Sequence, residues 1–174
     1  MNRVIEHCPG CAAELPRVDG PTDPYGGATA SCWAVFGEVC MKDFGEYRYP
    51  DVHRLIVDAY MAQHPGLATP AGRRSLATHL VGLYCSLARG MSAKEIVRVL
   101  AKVFPDKQDL PPFAPIPSLG GQTVATVRDA ANLTEHQERA TAWAHAVWQA
   151  WSPHHHRVEA LFSAATRGRA TTTK

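Results

Sequence analysis

Pro50-Asp51-Val52-His53-Arg54-Leu55-Ile56-Val57-Asp58-Ala59-Tyr60-Met61-Ala62-Gln63-His64-Pro65-Gly66 is the stretch that decides the fold. A proline suits the first turn of a helix, an aspartate favours its positive end, and Pro-Gly stops it. His53, Val57, Tyr60 and His64 recur at i, i+4, i+7 and i+11, so at 100° per residue they fall within about 40° of one another. One face of this helix therefore mixes core residues with two histidines, one at each end. About 16 Å of helix axis separates the two histidines, too far for both to touch one ion.

The same period repeats outward in both directions. A helix is expected from Ser31 as N-cap to Phe44, with Trp33, Phe36, Cys40 and Phe44 inward. Another is expected over Arg73–Arg89, with Leu76, Leu80, Leu83 and Leu87 as its stripe and His79 at the edge. Ser92 and Glu95 form a capping box ahead of Ile96, Val99, Leu100 and Val103, a helix that Pro105 closes. Phe104–Thr123 is a Pro/Gly-rich crossover whose Phe113, Ile116 and Leu119 need burial, followed by a short helix near Val124–Ala131. Thr134 and Gln137 form a second box before Ala140, Trp143, Ala144, Val147 and Trp151. Ser152-Pro153 either kinks that helix or caps a fresh one. Its continuation sets His154 and His155 beside the buried face and leaves His145 and His156 outside. No alternation is long enough for a strand. The expected fold is all-α: a four-to-five helix bundle over residues 1–167, with residues 1–30 as a metal-tied loop and 168–174 as a disordered tail.

Composition narrows the function classes. The 174 residues hold 18 Lys+Arg against 16 Asp+Glu, 45% apolar and 20% charged residues. That is globular composition, and a surplus of two charges is too small to gather nucleic acid. The longest uncharged run, Leu110–Val127, carries four prolines and two glycines and cannot span a membrane. Met1–Gly10 has no apolar signal core, so a reducing cytoplasm is the expected compartment, and the five cysteines are expected there as free thiols or metal ligands.

Cys8-Pro9-Gly10-Cys11 is the sharpest chemical signal. Two thiolates two residues apart can grip one tetrahedral Zn²⁺. A redox pair would need a helix directly after it, and Ala12-Ala13-Glu14-Leu15-Pro16 is too short. A short loop between the first two helices makes them antiparallel, which brings Cys32, at the start of one, beside His64, at the end of the other. Cys8, Cys11, Cys32 and His64 then form a Cys₃His site, with Asp23 as the competing fourth ligand and His79 as a ligand or supporting residue near the same end. The plainer readings make Cys32 a small buried hydrophobe, Cys40 and Cys85 core thiols, and His64 a histidine favoured by the helix dipole. Trp143, Trp148 and Trp151 read as core.

Cys8–Pro16, Asp19-Gly20-Pro21-Thr22, Cys32-Trp33, Val57-Asp58-Ala59-Tyr60, Gln63-His64-Pro65-Gly66, Arg73-Arg74-Ser75, His79-Leu80 and the Trp143–His155 segment together resemble a family of uncharacterised bacterial proteins, a domain of unknown function. The likeness supplies a pattern and no activity. Its pattern has His after Gly-Pro-Thr where this chain has Asp23, a harder donor that would free His64 for another role.

Three functions fit these residues. The first is a zinc-binding helical protein whose metal is structural, or catalytic with His64, His79 or Asp58 as base or orienting group. The second is a bundle-type metal-dependent hydrolase or thiol transferase using His53, His79 and His155; it resembles the three-histidine damage-inducible bundle proteins, which lack the cysteine motif. The third is a zinc-knuckle module that docks a protein. The expected partner is a small molecule or a protein, with no nucleic acid and no membrane.

Overall fold

The structure, a computed structural model, describes residues 4–24, 26–103, 110–116 and 121–167. The expected tail, Pro105 as helix stop and Leu119 as a core residue lie outside that range. Seven helices are described: α1 (Ala30–Gly45), α2 (His53–Gln63), α3 (Pro70–Leu83), α4 (Ala93–Val103), α5 (Val124–Arg128), α6 (Leu133–Ala150) and α7 (His155–Arg167). The all-α expectation holds, with one addition. Strands β1 (Ile5–His7) and β2 (Glu14–Pro16) pair antiparallel, Glu6 opposite Leu15. Three residues per strand are too few for an alternation to be read. No described helix is long and apolar enough to cross a membrane.

Helix α2 lies at the centre. His53, Leu55, Ile56 and the whole run Asp58–Gln63 are buried, so α2 is covered all round and not along one stripe. Helices α3 and α6 lie against it. Two indoles of the α6 arm hold its last turn. Trp143 Nε1 donates to Gln63 Oε1 at 2.9 Å, and Trp151 Nε1 donates to the Ala62 carbonyl at 3.1 Å. Trp143, Trp148 and Trp151 are core, as expected, and Trp143 and Trp151 each also satisfy a polar group at the end of α2.

Helix α1 departs from its expected face. Thr29, and not Ser31, is the N-cap, accepting from Cys32 N–H, while the Ser31 hydroxyl accepts from Val18 N–H at 2.8 Å. The buried residues are Ser31, Cys32, Val35, Phe36, Val39 and Asp43, and Phe44 is 61% exposed. Asp43 lies on this buried face, its carboxylate tied to two histidines. Helix α3 starts at Pro70 behind its Thr69 cap and ends in one π-helical turn, Tyr84–Ala88.

The Ser92–Glu95 box is present: Ser92 N–H donates to Glu95 Oε2 at 2.8 Å, and Glu95 N–H donates back to Ser92 Oγ at 3.4 Å. The second box sits two residues earlier than expected. Asn132 Oδ1 accepts from Glu135 N–H at 3.0 Å, and Glu135 Oε2 accepts from Ala131 N–H at 2.7 Å. Trp151 is a corner followed by one 3-10 turn, Ser152–His154, so Ser-Pro starts a new helix, α7. The arm Leu110–Ile116 crosses the bundle end, with Arg157 3.9 Å above the Phe113 ring and His154 Nε2 donating to the Ala114 carbonyl at 2.9 Å.

The shifted cap separates two variants. Asn132→Ala should lose about 1 kcal/mol, read as a fall of about 2–4 °C in Tm, whereas Thr134→Ala should leave Tm within about 1 °C.

Candidate metal centre

The hairpin presents its cysteines from a tight turn. Cys8 N–H donates to the Ala13 carbonyl at 2.9 Å and Ala12 N–H to the Cys8 carbonyl at 2.8 Å, with Ala12 in the left-handed region at φ 58°. Cys8 and Cys11 thus face inward, 2% and 5% exposed. Cys32 comes from the first turn of α1, and His64 caps α2. Both are fully buried. A Cβ on Gly10 would lie 2.4 Å from His64 Cδ2, so only glycine lets the turn close onto the imidazole.

The four ligand atoms lie within 4.8 Å of one another. Cys11 Sγ is 3.7 Å from Cys32 Sγ, and Cys32 Sγ is 3.4 Å from His64 Nε2. All five cysteines are free. Donors about 2.3 Å (sulfur) and 2.0–2.1 Å (nitrogen) from a tetrahedral centre stand about 3.8 and 3.6 Å apart, so the observed spacings fit an ion of that kind. His64 Nδ1–H donates to the Tyr60 carbonyl at 2.7 Å, which fixes the tautomer and turns Nε2 toward the sulfurs. The Tyr60 hydroxyl lies 3.7 Å from Cys32 Sγ, and its ring is stacked on Phe36 with centroids 4.1 Å apart.

The cluster's charges are interdependent. Hydrogen bonds from Cys11 and Cys32 hold the Cys8 thiol well below the ordinary thiol range, and the matching contacts with Cys11 and Cys8 push Cys32 up. Burial works against a charged His64, yet its bonds to Cys11 and Cys8 outweigh that and raise it to about 9. Burial pushes the Tyr60 hydroxyl up. Crowded thiols and an imidazole hold protons that a dication would displace. By contrast, burial pushes Cys40 up to about 12 and Cys85 up to about 11, as for inert core thiols.

The other residues singled out in the sequence lie elsewhere. Asp23 is not among the four converging residues; its carboxylate packs at Gly26, which bridges to Pro65. Asp58 is fully buried. It accepts from Arg54 Nε at 2.8 Å, from Arg54 Nη2 at 2.7 Å and from His79 Nδ1 at 2.8 Å. Arg54 and Asp58, an i, i+4 pair on α2, are thus part of a network that His79 joins from α3. A Cβ on Gly82 would lie 2.2 Å from Asp58 Oδ2. His155 is stacked on Trp148, centroids 3.7 Å apart, and donates to its carbonyl. His53, His79 and His155 therefore each have a different partner and do not converge. Among the described residues the cysteine–histidine group is the one that could hold an ion.

His53 belongs to a cluster that the sequence reading missed. Its Nδ1 donates to Asp43 Oδ2 at 2.7 Å, and His136 Nε2 donates to Asp43 Oδ1 at 2.7 Å. Asp43 and His136 are fully buried, and His136 Nδ1 has no partner among the described residues. The carboxylate joins α1, α2 and α6. A signal did exist. Asp43 continues the phase Cys32, Phe36, Val39, and His136 continues Ala140, Trp143, Val147: polar residues at apolar positions.

The family model of a family of unknown function, DUF5946, matches residues 6–152, and the chain belongs to that family. No curated protein and no solved structure matches it.

Removing the shared carboxylate strands two buried N–H groups. Asp43→Ala should cost about 3–5 kcal/mol in urea unfolding, against about 1 kcal/mol for His155→Ala, whose ring is half-buried.

Proposed function

We propose that this DUF5946 member is a zinc protein in which one Zn²⁺ is held by Cys8 Sγ, Cys11 Sγ, Cys32 Sγ and His64 Nε2. The observation that carries the reading is the 3.7 Å sulfur–sulfur and 3.4 Å sulfur–nitrogen spacing, in a group whose histidine already has the ligating tautomer. Four protein donors close a tetrahedral ion and leave no place for water, and three thiolates weaken its Lewis acidity. The metal is therefore structural. It ties the β1–β2 hairpin to the start of α1 and the end of α2. Three thiolates in this role require a reducing compartment such as the cytoplasm. His64, and not Asp23, is the fourth ligand in this reading. Asp58, His79, His53 and His155 serve packing and polar networks away from the ion.

Protein purified without added metal should carry about one zinc per chain by elemental analysis. The Cys8→Ser/Cys11→Ser double variant should lose it, and Asp23→Asn should keep it. Chelation should lower Tm by at least about 10 °C, because zinc binding supplies several kcal/mol of folding energy. Zinc loss should grow as pH falls, since protons compete for the thiolates and the imidazole. Full metal content in the double variant, or an unchanged Tm after chelation, contradicts the reading.

A further inference from the structure

A second polar site lies on the side of α2 that faces α4. A pocket of about 370 Å³, open on one side, is framed by the start of α2, the π-helical turn, the start of α4 and Thr141 of α6. Its volume is at the small end of ligand pockets, room for a metabolite and not a polymer. Leu55 and Ile96, both buried, supply apolar floor, and Ser86 and Thr141 supply hydroxyls.

Two opposite charges line this pocket without pairing to each other. Arg54 gives Nε and Nη2 to the buried Asp58 carboxylate, which His79 Nδ1 holds from a second side. That leaves Nη1 outside the fork and the guanidinium fixed in place. Asp51, three residues earlier and exposed, lines the same pocket, and Arg54's ion pair is with Asp58. The first turn of α4 also borders it, but the Glu95 carboxylate already caps Ser92 there, so the helix end is not a free anion receptor.

These groups define a ligand. A simple anion would meet the Asp51 carboxylate, and a simple amine would leave Arg54 Nη1 without an acceptor. A molecule with a carboxylate and an ammonium a few bonds apart satisfies both, with a small apolar side chain over Leu55 and Ile96. We propose that this pocket binds a free α-amino acid, its carboxylate on Arg54 and its ammonium on Asp51.

Titration calorimetry of the full chain with L-leucine, L-methionine and glycine tests this. At least one should bind saturably below about 10 mM, a weak affinity suited to so small a contact. For the amino acid that binds, the amide, which lacks the carboxylate, and the des-amino acid, which lacks the ammonium, should each bind at least tenfold more weakly. Asp51→Asn, at an exposed position, should fold normally by circular dichroism and lose affinity at least tenfold. Arg54→Lys, which keeps a charge for Asp58, should lose a similar factor. No saturable binding of any of the three overturns the proposal. So does equal binding of the amide or des-amino analogue, or full affinity in a folded Asp51→Asn.

Discussion

The hydrogen bond from His64 Nδ1 to the Tyr60 carbonyl is short in sequence and long in consequence. It closes the last turn of α2 on its own side chain and leaves one imidazole nitrogen, Nε2, for everything beyond. Cys32 meets that nitrogen from α1, and Cys8 and Cys11 meet it from the hairpin. A side chain free to rotate would lose this aim, and the hairpin, at three residues per strand, has too little core of its own to stand alone. The glycine at position 10 lets the turn approach the ring, and the backbone of Gly27 takes the His64 carbonyl at 3.0 Å. One residue thus ties the hairpin turn, the start of α1 and Gly27 to the end of α2.

The rest of α2 follows the same logic at other levels. A helix buried on all sides cannot leave its polar groups to water, so each has an assigned partner. His53 answers Asp43, Asp58 takes Arg54 and His79, and Gln63 takes Trp143 and the Gln122 carbonyl. These contacts come from α1, α3, α6 and the segment before α5. They select one arrangement of helices whose apolar surfaces alone would tolerate several. Most of the histidines that looked available for chemistry are in fact occupied in this way.

How much of this was legible depended on the reach of each signal. The Cys8–Cys11 spacing is local, and the meeting of Cys32 with His64 followed from a short loop and antiparallel helices, so the cluster could be read. The Ser92–Glu95 box was equally local. The Asp43 network was not read, because its histidines come from α2 and from residue 136, and a polar residue in an apolar phase looks like noise until a partner appears. Asn132 was passed over because Thr134–Gln137 offers the same pattern two residues later, and only packing of α6 selects between them. The β1–β2 hairpin and the π-helical turn carry no period that a window can detect.

X-ray absorption at the zinc edge of protein purified without added metal tests the Cys₃His assignment at the ion itself. A four-coordinate zinc is expected, with three sulfur neighbours at about 2.3 Å, one nitrogen at about 2.0–2.1 Å and imidazole outer-shell scattering. That scattering should vanish in His64→Asp while the three sulfurs remain. A first shell of oxygen and nitrogen only, or of two sulfurs with an open oxygen position, would contradict it.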